Sequence, residues 1–312
     1  MSVDNFSLLV TEYINSFNSP NSKLAYIRDI KQFQKWCLEN DYDLPIDISK
    51  INAAQYRDFL SNTFAIKTVE RKLSVIKGVF KLAVKTSRLS ENPFYEIRPP
   101  ENYNSKKKKN KPLDVSEVQR ILLFPKLRTH EGMRDYTMIF LMFSMGLKIG
   151  EVVNVHFKDF SEVRGFTVLR IRKSLGKGYY SKIPQNCLEV VNDYIKKYKR
   201  EEFLFTSLAK NKNKDPKTQL PLAARSGWAI LKKYLHKAKL DIKGRTTNCA
   251  REFFINELAE EGESFVKLQE ALGLNSLNAI KRYQVEESSG AKEKLSLKNH
   301  PVDKIKIEIR QY

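Results

Sequence analysis

Arg251 stands in TTNCAREFF, residues 246–254. Two threonines suited to helix capping precede an apolar periodic run of Phe253, Phe254 and Leu258. A guanidinium offers a planar fork of donors that fits a carboxylate or a phosphate. The stretch alone leaves two readings open: a surface arginine paired with Glu252 or a neighbour, and one member of an active site. The other reactive residue types narrow the chemistry. Cys37, Cys187 and Cys249 are widely spaced and odd in number, which fits neither a disulfide framework nor a zinc pattern. His130, His156, His236 and His300 lack metal-ligand spacing. The expectation is no metal and no cofactor.

The charge balance points to the partner. The chain carries 56 Lys+Arg against 36 Asp+Glu, a net charge of +20. Such an excess suits a polyanion, and nucleic acid first, because lysine and arginine make the phosphate contacts that dominate its binding. A solubility surplus is the competing account. With 312 residues the chain is long enough for two domains. Its 41% hydrophobic and 29% charged content describes a soluble globular protein. The longest apolar run, around 138–143, is too short to cross a bilayer, so no membrane partner is expected. MSVDNFSLL lacks the basic and apolar parts of a signal peptide, which suggests a cytoplasmic location.

The elements that must position these residues fall into two groups. Residues 1–97 carry helical periods, among them Phe6, Leu9, Val10, Tyr13 and Ile14, and predict a bundle of four or five helices. Residues 98–113, with prolines, asparagines and four successive lysines, read as a basic linker. From Asp114 to residue 312 the pattern restarts. Helices are expected over 115–123 and 136–145, the second apolar on nearly all sides and so buried. GFTVLRIRKS, 165–174, and YYSKIP, 179–184, read as strands joined by a turn at GKG. Further helices are expected over 186–199, 221–238, 247–260, 264–271 and 275–283. A tail follows from about 286, and DKIKIEIR, 303–310, alternates as a half-buried strand would. The fold class is mainly α with a small antiparallel β-sheet.

Four stretches stand in order in the second half: GLKIGEVVNV (146–155), LGKGYYSKIP (175–184), NCARE (248–252) and LGLNSLNAIKRYQV (272–285). With them the sequence resembles the tyrosine recombinase (phage integrase) family. The helical first part, with SPNSKLAYIRDIKQFQKWC and ENPF, is similar to the family's core-binding domain. KPLDVSEVQRIL is similar to the opening of its catalytic domain. The resemblance spans residues 6–285. Each fragment is weak alone, and their order, ending in a tyrosine, is specific.

The resemblance implies site-specific DNA breakage and rejoining on double-stranded DNA, by a homo-oligomer, with neither metal nor ATP. A tyrosine hydroxyl attacks the phosphodiester and forms a 3′-phosphotyrosyl link that conserves the bond energy. Two arginines hold the non-bridging oxygens, and a hairpin lysine protonates the leaving 5′-oxygen. Carried over by position, Tyr283 falls at the nucleophile, Lys177 at the hairpin lysine and Arg251 at the second arginine. Glu151 matches the acidic residue after the first arginine, with an orienting and a buried structural role both open.

The sequence departs from the family at four positions. Lys148 replaces the first arginine, keeping charge and losing the bidentate fork. Asn248 stands at the first histidine position and Glu252 just after Arg251. Leu274 occupies a position where histidine or tryptophan would donate a hydrogen bond. Each lost donor costs about 10²–10³ in rate, so the expectation is a slow or degenerate site unless Arg172, Lys173 or Arg245 substitutes. The alternative is a catalytically inactive DNA-binding protein on the same scaffold. Either way a distributed DNA surface is expected, from Lys67, Arg71, Lys72, Lys77, Lys81, Lys106, Lys107, Lys108, Lys109, Lys111, Lys232 and Lys233.

Overall fold

The computed structural model describes residues 3–42, 47–100, 111–173, 178–198, 202–208, 220–242, 245–274 and residue 305. Two compact units divide the chain at 108/109.

Among the described residues of the first unit there are four helices, α1 (Val3–Asn15), α2 (Pro20–Glu39), α3 (Lys50–Thr63) and α4 (Ile66–Lys85). Local signals set their starts. Ser19 caps α2 by accepting from the Ser22 N–H, with Pro20 in the first turn, where a missing N–H costs nothing. Ser49 and Asn52 form a reciprocal capping box on α3. The buried faces meet in an aromatic cluster of Phe33, Trp36, Tyr56, Phe80 and Phe94, with Phe33 and Tyr56 edge to face at 4.9 Å. Asp29 is buried inside this bundle. It is neutralised by Arg71 and by Lys72, whose Nζ lies 2.8 Å from its Oδ1.

The second unit is built around α6 (His130–Met145), preceded by α5 (Val115–Leu122). α6 is buried from Gly132 to Met145, as its all-round apolar surface predicts. It packs against α5, against α8 (Gln185–Lys197), α9 (Ala224–Lys237) and α10 (Cys249–Glu260), and against the short α7 (Ile149–Val152). The one buried acid on α6, Asp135, is held by Arg134 at 2.6 Å and by the Tyr234 hydroxyl of α9 at 2.9 Å. α11 (Phe265–Ala271) follows α10 and closes a small apolar cluster of Phe254, Ile255, Leu258, Leu268 and Leu272.

The three strands β1 (Phe160–Val163), β2 (Phe166–Ile171) and β3 (Tyr179–Lys182) form one antiparallel sheet in sequence order. β2 and β3 match the two expected strands; β1 was not expected. Only its first residue is even half-buried, so it shows no alternation that a sequence pattern would reveal. The register pairs Ile171 with Tyr179 and Leu169 with Ser181. Directly opposed residues share a face, so Tyr179 lies on the side where Leu169 and Ile171 are buried. The expected helix at 275–283 and most of the expected strand at 303–310 lie outside the described residues. Ile305 is described, and it is buried in the core of the second unit.

Candidate active site

The chain turns sharply after α6, and that turn begins the site. Gly146 ends α6 in the left-handed region, φ +60°. A side chain there would meet the Phe254 ring at 2.8 Å and Leu272 at 2.9 Å, so glycine is required by both backbone and space. Lys148 then caps α7 through its backbone, and its N–H donates to Glu151 Oε2 at 2.8 Å.

Arg251 reaches this turn from the first coil of α10. Its Nε donates to the Gly146 carbonyl at 2.7 Å, and its Nη2 donates to Glu151 Oε2 at 2.5 Å. These bonds use Nε and Nη2 and not Nη1. The arginine is 1% exposed, and the Glu151 side chain 12%. Of the readings open for Arg251 and Glu151, the surface arginine is therefore excluded. Burying a guanidinium requires a charged partner and satisfied donors, and Glu151 and Gly146 supply them. Glu151 thus orients Arg251 and the Lys148 backbone with a single oxygen.

Asn248 immediately precedes α10, one turn before Arg251, but makes no side-chain cap bond. Glu252, the next residue after Arg251, is half-buried. Leu274 joins the apolar cluster beside α11, and its N–H donates to the Gln269 carbonyl at 2.9 Å. Tyr283 and Lys177 lie outside the described residues. Arg172 does not serve as a substitute donor: it makes bidentate bonds of 2.8–3.0 Å to the buried Asp159. Arg245 carries a buried Nε with no partner among the described residues.

Sequence reasoning missed Tyr179. Its hydroxyl is shielded from solvent and faces the Arg251–Glu151 pair without a well-formed hydrogen bond. Burial pushes its pKa up, Glu151 adds to the rise, and the Arg251 cation opposes it. The available signal is the aromatic pair directly after GKG, which the sequence pattern marks only as strand.

The expected DNA-binding residues divide. Lys81, Lys111 and Lys232 are exposed. Lys67 is exposed and paired with Glu70 at 2.8 Å. Lys77 donates to the Tyr95 carbonyl at 3.3 Å. Lys72 is corrected: it is 7% exposed, and its ammonium is held by the buried Asp29 inside the bundle. Arg71 shares that carboxylate, and Lys233 is held by Glu131 and Asp135. Lys106 to Lys109 lie outside the described residues. Burial pushes the thiols of Cys37, Cys187 and Cys249 up to about 12, which removes them as nucleophiles at neutral pH. Among the described residues no group of His, Cys, Asp and Glu could hold a metal, and no helix is long and apolar enough to cross a membrane.

Comparison with known proteins places this arrangement. The phage integrase family model matches residues 111–288, more than half of the chain, and the chain belongs to that family. A tyrosine recombinase of Pseudothermotoga lettingae is 27% identical over 276 residues, covering 85% of this chain and 87% of the relative. Tyrosine recombinase XerD of Rickettsia prowazekii is 27% identical over 301 residues, covering 92% and 93%. Among solved structures, the Tn1549 transposon integrase in complex with circular intermediate DNA shares the fold. Its TM-score is 0.69 at 18% identity, over 91% of this chain and 96% of that one.

Proposed function

We propose that the chain carries out site-specific DNA recombination by tyrosine-mediated strand breakage and rejoining. The observation that carries the reading is the joining of Arg251, Glu151 and the Lys148 turn into one buried charged cluster, across 100 residues of sequence. This is where the family chemistry needs its phosphate-binding cations. In this reading the Tyr283 oxygen attacks the scissile phosphorus, the bond to the 5′-oxygen breaks, and Lys177 gives that oxygen its proton. Arg251 and Lys148 take up the charge gathering on the non-bridging oxygens. The protein acts as a homo-oligomer on double-stranded DNA, with lysines of the first unit and of residues 98–113 adding phosphate contacts.

The test uses a pool of fragments from DNA around the protein's own gene, each nicked near the cleavage point so that a covalent intermediate is trapped. A denaturation-resistant protein–DNA adduct that disappears in Tyr283→Phe is expected. Specific binding with no adduct would overturn the catalytic reading and leave a DNA-binding protein.

A further inference from the structure

Tyr179 sits where three parts of the site meet. On one side its buried hydroxyl faces the guanidinium and carboxylate of Arg251 and Glu151. On the other its ring lies against Gly273, where a Cβ would come within 2.3 Å of two ring carbons. Gly273 holds φ +54°, so both its conformation and its contact exclude a side chain. Lys173 completes the arrangement. Its Nζ donates to the Gly273 carbonyl and lies 5.3 Å from the Tyr179 ring centre. Residues from the β2–β3 hairpin therefore clamp the turn at 273, which leads towards Tyr283. The same side chain carries the hydroxyl that faces the buried arginine.

The packing gives this aromatic side chain a job beyond filling space. Arg251 is fixed along one edge by Gly146 and Glu151. Those bonds engage Nε and Nη2 and not Nη1. The buried Tyr179 hydroxyl faces the same pair, and the residue that carries it limits how far the guanidinium can shift. Nearby, the Leu274 side chain cannot donate a hydrogen bond, so the site has fewer groups to hold a phosphate in register. A misplacement of about 1 Å in a catalytic group costs on the order of 10²-fold in rate.

We propose that Tyr179 is a positioning residue for strand cleavage, wedged between the Arg251–Glu151 pair and the Gly273 turn so that it sets the direction of the phosphate-binding arginine. The inference rests on the recombinase reading above. It concerns a residue of the hairpin that acts through Arg251.

The experiment compares wild type, Tyr179→Phe and Tyr179→Ala on nicked duplexes that the wild-type protein has selected from the fragment pool. Two quantities are read separately: the single-turnover rate of adduct formation at saturating DNA, and the affinity for DNA. Tyr179→Ala is expected to lower the rate by about 10²-fold while affinity stays within about twofold. Tyr179→Phe, which keeps the ring, recovers most of the rate. A second substrate carries a methylphosphonate at the scissile position, removing one negative non-bridging oxygen. Because the arginine's work is to neutralise that charge, the gap between Tyr179→Ala and wild type narrows on this substrate. An equal gap on both linkages overturns the inference, since a general packing defect would not depend on phosphate charge. Wild-type rates in both variants overturn it as well. Should Tyr179→Ala not fold, Tyr179→Phe and Tyr179→Leu carry the same comparison on both linkages. If wild type itself forms no adduct, the recombinase reading fails and the inference falls with it.

Discussion

Arg251 and Glu151 meet at 2.5 Å with both side chains almost withdrawn from solvent. The same carboxylate oxygen accepts from the Lys148 N–H at 2.8 Å, so one acid organises the turn and the arginine together. Removing one member of a buried pair leaves the other charge uncompensated, at a typical cost of about 3–5 kcal/mol. Glu151→Ala is expected to lose stability in that range in urea unfolding. Glu151→Gln, which keeps an acceptor oxygen, loses less. A Glu151→Ala protein within about 1 kcal/mol of wild type would mean that the pair behaves as a solvated surface contact.

The glycine that supplies the other acceptor for Arg251 gives a second test. Gly146→Ala places a methyl against the Phe254 ring and Leu272 at a left-handed φ. Strain and overpacking together cost about 2–4 kcal/mol. Gly150→Ala is the matched control: it lies in α7, and its added Cβ would meet nothing within 4 Å. Thermal unfolding should show a clear drop for the first and none for the second, where alanine favours the helix. Equal melting temperatures would remove Gly146 as a shape determinant of the site.

His156 makes stability depend on pH in the acid direction. It is nearly buried, packs on Phe203 with ring centres 4.3 Å apart, and its backbone N–H donates to Asp159. Its pKa is lowered from 6.5, first by burial and then by Arg172, against the opposing pull of Asp159 and Glu202. With the folded pKa below the unfolded one, the unfolded chain takes up the proton first as pH falls. Stability is full above about 6.5 and declines as pH drops towards the folded value. His156→Phe should flatten the part of the urea-midpoint profile between about pH 7 and pH 5 that this histidine contributes. An unchanged slope would assign the acid sensitivity to other groups.

Much of this was legible in the residues, for reasons that differ from place to place. α6 announced itself because its apolar surface runs all the way round, and α5 because its apolar residues keep a helical period. The cluster at Arg251 was legible as a set of positions, since residue type and order survive in GLKIGE and NCARE. Its geometry was not: that Glu151 and the Gly146 carbonyl would both face Arg251 is a property of how α10 packs on α6. β1 stayed hidden because a short strand with exposed faces has no period. Tyr179 stayed hidden because its role comes from Gly273, far away in sequence. The DNA-surface lysines were legible as charge and illegible as partners. Lys72 is the clearest case, since nothing local marks Asp29 as the acid it serves.

Lys148 offers the sharpest test of the chemistry. Its backbone is fixed by Glu151 at the start of α7 while its side chain is exposed, so a longer cation can be installed without moving the turn. A lysine presents a point charge, whereas arginine presents two parallel donors matched to a phosphate. Lys148→Arg is therefore expected to raise the rate of adduct formation by about 10- to 100-fold, with DNA affinity little changed and with Tyr283→Phe still abolishing the adduct. The comparison is made at saturating DNA, so that a gain in binding cannot pass for a gain in chemistry. A sharp fall in rate would overturn the expectation. It would mean that the pocket has closed around a single ammonium group, leaving no room for the fork that the phosphate would otherwise prefer.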